Sequence, residues 1–481
     1  MTEQRFALAP FERDARYEAD RLRSIGPVVA VSLPGGIPAH AITQNELLHP
    51  LLLNSKVSPD HRRYWSLWPQ VARRPDWVWI LGWIGGSNLQ ARLGPDKNKQ
   101  TFRRVGISSH TVRRRAEERL RPRAEAAIST LLDSFADRPA TKIVDLRADY
   151  AMPLSLETTC DLFGATGRIR RDIGALAARV MDTTAVTETA GTTTLMHTVV
   201  ADLIAHKRAR PGDDLTTDLI TMRGVDGNRL SSEERSQAVL WTLVASLEST
   251  IHLVGNTLHA LLSRPWLLAE GNALADQRLE EALSWSPSVS ATPLLYAVDD
   301  VELGDVTVRA GEAILTTLAS GTAYEVAQAS RIEGHIAFGA NVHQRISVPL
   351  ARLQAGLAMR ALLARFPGVQ PAPTPLAGHP SLAANGWATA PVCLSTSVPA
   401  QSIPRFKPRQ NLTPEQHAQL RDFAVSAYDG GKGMTIRQIA AVTGRAGSGI
   451  QRLVAEEGTD RRRKRARVPN SAPGRVKPHT P

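Results

Sequence analysis

Cysteine is scarce in this chain, which contains only Cys160 and Cys393 among its 481 residues. Two cysteines exclude a disulfide framework, and neither lies in a CxxC pair or in a Cys/His set with zinc-site spacing. We therefore expect both side chains to be buried thiols in a reducing compartment, and we expect no metal site.

A signal peptide is not expected at the start of the chain. The first residues lack the hydrophobic segment of a signal peptide, and the apolar run at residues 78–86 is far too short to span a bilayer. These absences predict a cytoplasmic protein that has no membrane partner.

Acidic residues are few at the C-terminal end. Residues 401–481 carry 16 Lys and Arg against 6 Asp and Glu, a net charge of +10, whereas residues 1–400 carry 42 against 40, a net charge of +2. A nearly neutral body with a basic end predicts a polyanionic partner for that end, with nucleic acid ahead of a membrane surface.

The most informative stretch, residues 335–369, is a turn-like segment that leads into a helix. From residue 349 the apolar residues recur at helical spacing, and Pro367-Gly368 ends the pattern. The stretch resembles the haem-binding signature F-G-x-G-x-H-x-C-x-G-x-x-L-A-R of the cytochrome P450 superfamily. The matching positions are Phe338, Gly339, His343, Leu350, Ala351 and Arg352. The resemblance implies the fold of a haem-thiolate monooxygenase, which is mainly α with small β-sheets.

The cysteine of that signature is absent. Arg345 stands at the position of the iron ligand, and Asn341 and Ser347 replace two glycines. In the family, the cysteine thiolate donates electron density to the iron so that the O–O bond can be cleaved. A guanidinium has no lone pair for a metal and stays protonated at physiological pH.

Residues 233–264 are apolar on nearly all faces, which predicts a helix buried in a large domain. They resemble the long central helix of the family, whose (A/G)-G-x-(D/E)-T motif lies where oxygen is activated. Glu248 and Ser249 match the acid and the alcohol of that motif, whereas Ser246 replaces its glycine. An unpaired buried carboxylate is costly, so Glu248 is expected to face a polar cavity or to be neutralised.

Other positions that support haem in the family have also changed. Glu281 matches the first residue of the family's E-x-x-R motif, but Ser284 replaces its arginine. Leu295 stands where an arginine usually pairs with a haem propionate, and residues 96–105 lack the expected histidine. These changes predict a chain with no cofactor and no catalytic residue. The family-matching positions that would serve a haem enzyme are Glu248, Ser249, Glu281 and His343.

The resemblance covers about residues 11–396. Two β-branched runs within residues 25–43 predict a hairpin that turns at Pro34-Gly35-Gly36. Helices are expected at 112–135, 143–164, 166–182 and 192–207. The predicted division is a cytochrome P450-like domain at 1–396, a linker at 397–410, a small all-α helix-turn-helix domain at 411–460 and a basic tail at 461–481.

The pattern for the smaller domain begins with a capping box. Thr413 and Gln416 start a helix that runs to about residue 428. Ala440, Gly444 and Ile450 then have the spacing of a helix-turn-helix, which needs a small residue where the helices touch, a glycine in the turn and an apolar anchor. The module resembles the small domains of bacterial DNA-binding regulators. A helical hairpin that docks a protein is the alternative.

Arginine and glutamine suit the edges of bases, and a basic arm suits phosphates. The candidate DNA-binding residues are Arg445, Ser448, Gln451, Arg452, Arg461, Arg462, Arg463, Lys464, Arg465 and Arg467. They predict duplex DNA as a partner. They also predict a homodimer, because one helix-turn-helix covers only half of a binding site.

Three functions are open from the sequence. The leading hypothesis is a haem-free pseudoenzyme that acts in transcription regulation as a DNA-binding regulator or accessory factor. Its former substrate cavity is either filled or used to sense a small-molecule ligand. The second is a haem-dependent monooxygenase with a substitute ligand, for which His343 is the nearest candidate. The third is an inactive protein partner that stabilises another biosynthetic enzyme. The leading hypothesis predicts that the purified protein is colourless.

Overall fold

The computed structural model of the protein describes residues 5–8, 15–52, 54–71, 73–77, 80, 116–136, 143–180, 186–221, 231–262, 288–289, 291, 294–317, 348–374, 376–379, 381–382, 384–395, 411–428 and 436–455. The chain divides into two compact units. The first comprises Met1–Ser263 and Gly271–Val398, and the second comprises Arg264–Glu270 and Pro399–Pro481.

The first unit is mostly helical. Its described helices are α1 (Ala15–Ile25), α2 (Asn45–Leu51), α3 (His61–Tyr64), α4 (Trp68–Val71), α5 (Arg121–Ala136), α6 (Met152–Phe163), α7 (Gly167–Val180), α8 (Val186–Ala209), α9 (Leu215–Thr221), α10 (Ser232–Leu262) and α11 (Val348–Arg365). A π-helical turn precedes α5 at Ala116–Leu120, and another precedes α6 at Leu146–Ala151.

Short strands form three described sheets. The strands are β1 (Phe6–Ala7), β2 (Val28–Leu33), β3 (Ile37–Ile42), β4 (Val57–Ser58), β5 (Ile143–Asp145), β6 (Leu295–Ala297), β7 (Val301–Leu303), β8 (Val306–Val308), β9 (Ala313–Thr316), β10 (Gln370–Pro371) and β11 (Pro391–Cys393). The largest sheet has the order β1-β2-β3-β9-β6-β4, the second β10-β11-β5, and β7 pairs with β8.

The predicted hairpin is present as β2 and β3, which pair antiparallel from Val28 opposite Ile42 to Leu33 opposite Ile37. Its turn needs glycine at Gly35, because φ there is +78° and a Cβ atom would lie 2.8 Å from the carbonyl oxygen of Asp76. The indole Nε1 of Trp77 donates a hydrogen bond of 2.7 Å to the Gly35 carbonyl. The turn is thus fixed both by backbone conformation and by this contact.

Helix α10 passes through the core of the first unit, as its apolar sequence predicts. It packs against α11, α6, α8 and the π turn before α6. Ser155 of α6 donates a hydrogen bond to the Leu247 carbonyl, and Tyr150 of the π turn donates one to the Ala358 carbonyl of α11. Among the described residues, the segment Arg235–Ala260 is long and apolar enough to cross a membrane, but most of it is buried inside the protein, as a core helix is.

Two expectations from the sequence were wrong in detail. The segment expected to be helical from residue 143 begins with strand β5, which pairs with β11, because Asp145 caps the following π turn through the Arg147 amide and so starts the helical conformation later. Cys160 is a buried thiol as expected, whereas Cys393 is only half-buried on β11.

His61 is a buried histidine that makes the stability of the fold depend on pH. Its side chain is buried against the rings of Trp68 and Tyr296, with ring centroids 4.4 and 6.4 Å away. Burial, assisted by Arg62 and opposed by Asp60, lowers the pKa of His61 to about 4. Between the ordinary histidine pKa of 6.5 and this value, the unfolded chain binds a proton that the folded chain does not, so stability falls as the pH falls.

We expect the free energy of unfolding to fall when the pH is lowered from about 7.5 to about 4.5. The fall should be about 2 to 3 kcal/mol larger in the wild type than in His61→Gln, because each pKa unit corresponds to about 1.4 kcal/mol. The measurement is urea unfolding of both proteins at the two pH values. Equal losses in the two proteins would contradict a neutral buried His61.

Candidate active site

The centre of the candidate site is the middle of α10, where the sequence matches the family's oxygen-activating motif. Ser246, which replaces the motif's glycine, is buried, and its hydroxyl donates a hydrogen bond of 2.6 Å to the Thr242 carbonyl. Thr250 donates in the same way to the Ser246 carbonyl. These hydroxyl groups are satisfied within the helix, which allows a polar sequence to be buried there.

Glu248 lies between these residues and is the buried acid of the site, with only 4% of its side chain exposed. Its Oε2 atom is 3.9 Å from Nη2 of Arg147, on the π turn before α6, and 3.4 Å from Nε2 of His252. Neither carboxyl oxygen has a hydrogen-bond partner. Burial raises the pKa of Glu248 above its ordinary value, although Arg147 and His379 act in the opposite direction. The carboxyl group can therefore hold a proton.

His252 lies one turn after Glu248 on the same face of α10. Burial lowers its pKa well below the ordinary value, and Arg147 acts in the same direction. Its ring is 4.7 Å from the ring of His379, measured between centroids. The imidazole of His252 is therefore neutral and faces a second buried imidazole from a distant part of the chain.

His379 is brought to α10 by the described part of the segment that precedes β11. The Asn256 side chain donates a hydrogen bond of 2.8 Å to the Asn385 carbonyl, which holds this segment on the helix. The His379 amide donates to the Gly386 carbonyl, also at 2.8 Å. A Cβ atom on Gly386 would lie 2.0 Å from Nδ1 of His252, so only glycine allows this approach.

The structure places only some of the residues predicted from the sequence. Glu248 is in the site, and Ser249 lies on α10 beside it. Glu281, His343 and Arg345 lie outside the described residues. Sequence reasoning missed Arg147, His252 and His379. The one available signal was the spacing of four residues between Glu248 and His252, which places both on one face of a helix.

The second unit is described separately. Its helices are α12 (Pro414–Tyr428), α13 (Ile436–Thr443) and a further helix at residues 447–455. Of the candidate DNA-binding residues, Arg445 is half-buried, whereas Ser448, Gln451 and Arg452 are exposed. The basic residues at 461–467 lie outside the described part of the chain.

Comparison with known proteins gives relatives that cover most of the chain. No family model matches. Cytochrome P450 107B1 of Saccharopolyspora erythraea is 30% identical over 380 residues, which are 76% of this chain and 91% of that protein. The 2-hydroxy-5-methyl-1-naphthoate 7-hydroxylase of Streptomyces carzinostaticus is 28% identical over 404 residues, 81% of this chain and 97% of that protein.

Solved structures agree. CYP154A1 from Streptomyces coelicolor superposes with a TM-score of 0.71 at 34% identity, covering 81% of this chain and 100% of that one. CYP154C4 from a Streptomyces species, in its testosterone-bound form, superposes with a TM-score of 0.73 at 30% identity, covering 82% of this chain and 99% of that one. These superpositions confirm the expected cytochrome P450 fold.

The relatives overturn the leading hypothesis from the sequence. Because they are named as hydroxylases and cytochrome P450 monooxygenases, they indicate a haem-dependent monooxygenase instead of a haem-free pseudoenzyme in transcription regulation. The prediction of no cofactor was wrong for the same reason, since haem is expected in this family. By its identity to these proteins and by its fold, the chain belongs to the cytochrome P450 superfamily, in the branch found in actinobacteria.

Proposed function

We propose that this protein is a haem-dependent monooxygenase that hydroxylates an apolar small molecule in the cytoplasm. The observation that carries the proposal is Glu248, a buried carboxyl group at the family's acid position on α10. The names of relatives support it, since they describe hydroxylases of 2-hydroxy-5-methyl-1-naphthoate, of vitamin D3 and of 6-deoxyerythronolide B. We propose a substrate with a largely hydrophobic carbon skeleton, as these names describe.

The described residues fit a haem on the α10 side. Glu248 has two carboxyl oxygens without hydrogen-bond partners in the middle of the buried helix α10, at the position where the family needs a proton source for oxygen activation. When bound, haem supplies the activation of dioxygen and its insertion into a C–H bond. Glu248 would hold a proton at Oε2 for that reaction, and the neutral His252 at 3.4 Å would orient the carboxyl group.

The iron ligand in this proposal is not a cysteine. Arg345 occupies the ligand position of the signature, and His343 is the nearest side chain in sequence that can bind iron. Cys160 lies on α6 and Cys393 on β11, and both are outside the stretch that resembles the haem-binding signature. His343 is therefore the proposed substitute ligand.

Absorbance spectra of the full-length protein titrated with haemin test this assignment. We expect binding of one haem per chain, and a ferrous carbon monoxide complex without the red-shifted Soret band that a thiolate ligand gives. Arg345→Cys should gain that band, whereas the matched control Arg345→Ser should not. A wild-type protein that takes up no haem would refute the proposed function, and a thiolate band in the wild type would refute the ligand assignment alone.

For the second unit we propose a helix-turn-helix fold. In its predicted capping box the Thr413 amide donates to Oε1 of Gln416 at 3.0 Å, and the Gln416 amide donates to the Thr413 hydroxyl at 3.2 Å. Gly444 has φ of +70°, and Ile439 and Ile450 are fully buried together. The proposal is limited to the fold, and the predicted DNA contact, protein partner and homodimer stay predictions.

A further inference from the structure

Three buried side chains of the first unit converge at one point. Glu248 and His252 come from α10, and His379 comes from the segment before β11. One potential ligand atom from each side chain lies within 4.8 Å of the others, and all three residues are buried. The three groups are therefore close enough to share one small ligand.

The residue types and their spacing suit a metal ion. Residues four apart on a helix point to the same side, which is how zinc enzymes place two ligands of a helical motif. Two imidazoles and one carboxylate form a known ligand set for Zn²⁺ with an open position for water. The third ligand here comes from a segment far away in sequence, so the site exists only in the folded chain.

The distances are close to those of coordination. Two ligands bound to zinc at about 2.0 Å in a tetrahedral arrangement lie about 3.3 Å from each other. Oε2 of Glu248 and Nε2 of His252 are 3.4 Å apart. The hydrogen bond from Asn256 to the Asn385 carbonyl holds the neighbouring segment on α10, which limits how far His379 has to move.

An independent observation is that the polar side-chain atoms of Glu248 and His252 lack hydrogen-bond partners. Neither oxygen of Glu248 and neither ring nitrogen of His252 makes a hydrogen bond, although their side chains are only 4% and 1% exposed. Buried polar atoms without partners cost free energy that a bound ligand recovers. Nη2 of Arg147 is 3.9 Å from the carboxylate and makes no hydrogen bond to it.

We propose that Glu248, His252 and His379 form a site for a transition-metal dication, with Zn²⁺ as its ion. Arg147 would oppose the positive charge of a bound dication, and an ionised Glu248 would offset part of that charge. The site goes beyond the proposed monooxygenase and competes with it for Glu248. A bound dication keeps the carboxylate from holding a proton, so metal loading switches the proton donor off.

Cobalt binding to the haem-free full-length protein tests the site without any reference to monooxygenation. Protein treated with a chelator and dialysed is titrated with Co²⁺, and visible d–d absorption is recorded before and after addition of Zn²⁺. We expect one Co²⁺ per chain, displaced by Zn²⁺, with no intense thiolate charge-transfer band because both cysteines lie outside the cluster.

Two variants and one control make the result specific. Glu248→Gln keeps the size of the side chain but removes its charge, and His379→Ala removes the ligand that comes from the other segment. Each variant should bind Co²⁺ at least about a hundredfold more weakly, because loss of even a supporting group weakens metal sites by about 10- to 100-fold. His197→Ala, which removes a half-buried histidine on α8, should bind like the wild type. Thermal unfolding without metal checks that each variant is folded.

The outcomes separate clearly. A wild-type protein without d–d absorption overturns the proposal, and so does wild-type affinity in folded Glu248→Gln and His379→Ala. Loss of binding in both variants with retention in His197→Ala supports it. Because the titration uses protein without haem, failure of the metal site leaves the haem test of the proposed monooxygenase unaffected.

Discussion

Replacing Asp214 by alanine is expected to lower the free energy of unfolding by about 3 to 5 kcal/mol, the loss seen when one member of a buried ion pair is removed. Oδ2 of Asp214 is 2.9 Å from Nζ of Lys207, and the two side chains are only 3% and 11% exposed. Without the carboxylate, the ammonium group of Lys207 would be left buried without this counter-charge. Oδ1 of Asp214 also accepts the Thr217 amide at the start of α9, so a helix cap is lost as well.

The residues around Lys207 leave its side chain little room to move after Asp214 is replaced. A Cβ atom on Gly164 would lie 2.4 Å from Nζ of Lys207, which shows how closely the backbone after α6 approaches the lysine. Lys207 extends from α8, so the ion pair joins α8, α9 and the end of α6. The lysine therefore has little room to turn toward solvent when its partner is removed.

Urea unfolding of Asp214→Ala beside a surface control measures the effect. Arg168 and Asp172 form an exposed pair on α7 with a distance of 3.2 Å, and Asp172→Ala should change stability by less than about 1 kcal/mol. The double variant Lys207→Met, Asp214→Ala should recover at least half of the loss, because no buried charge remains. A loss below about 1 kcal/mol in Asp214→Ala would contradict the account.

Local patterns in the sequence predicted local structure well. The β2–β3 hairpin with its Gly35 turn and the buried helix α10 follow from backbone chemistry or from apolar periodicity, which act over a few residues. The capping box of Thr413 and Gln416 was predicted on the same basis and is present with both hydrogen bonds. Such features need no knowledge of the rest of the chain.

The candidate site could not be predicted in the same way. Arg147 and Glu248 are about a hundred residues apart, and His379 is farther still, so only the packing of the chain brings them together. The histidines gave no signal alone, because a lone histidine in an apolar segment is usually a core residue. His61 is such a case, packed between Trp68 and Tyr296 without any role in the site.

The prediction of no cofactor was wrong because it rested on single positions that contact haem in the family, with Arg345 at the ligand position and Ser284 and Leu295 in place of supporting arginines. Arg345 argues against a thiolate, but one axial bond is only part of what holds a haem. Apolar contacts supply much of the binding free energy of such a group, and this chain shares its fold with solved cytochrome P450 structures. A changed ligand therefore alters the chemistry of the iron more directly than it abolishes binding.

Glu248→Gln is expected to lower kcat of the haem-loaded protein by about a hundredfold or more, with little change in KM, since a positioned proton donor contributes about 10² to 10⁴ in rate. Glutamine has nearly the same size and keeps its contacts with His252 and Arg147, but its amide cannot release a proton. The probe substrate is testosterone, chosen because a relative of similar fold binds it. Product is measured with NADPH and a bacterial ferredoxin and reductase as electron supply.

The fraction of NADPH electrons that ends in product distinguishes a proton donor from a residue with only a structural role. If Glu248 is the proton donor, oxygen reduced by the two electrons of NADPH should in its absence take two protons from solvent and leave as hydrogen peroxide, so the ratio of product to NADPH should fall together with kcat. The matched control Glu302→Gln changes an exposed carboxylate on β7 and should leave both quantities unchanged. A Glu248→Gln protein with wild-type kcat and wild-type coupling would remove Glu248 from the reaction. In that case the buried carboxylate would be explained by the metal site alone.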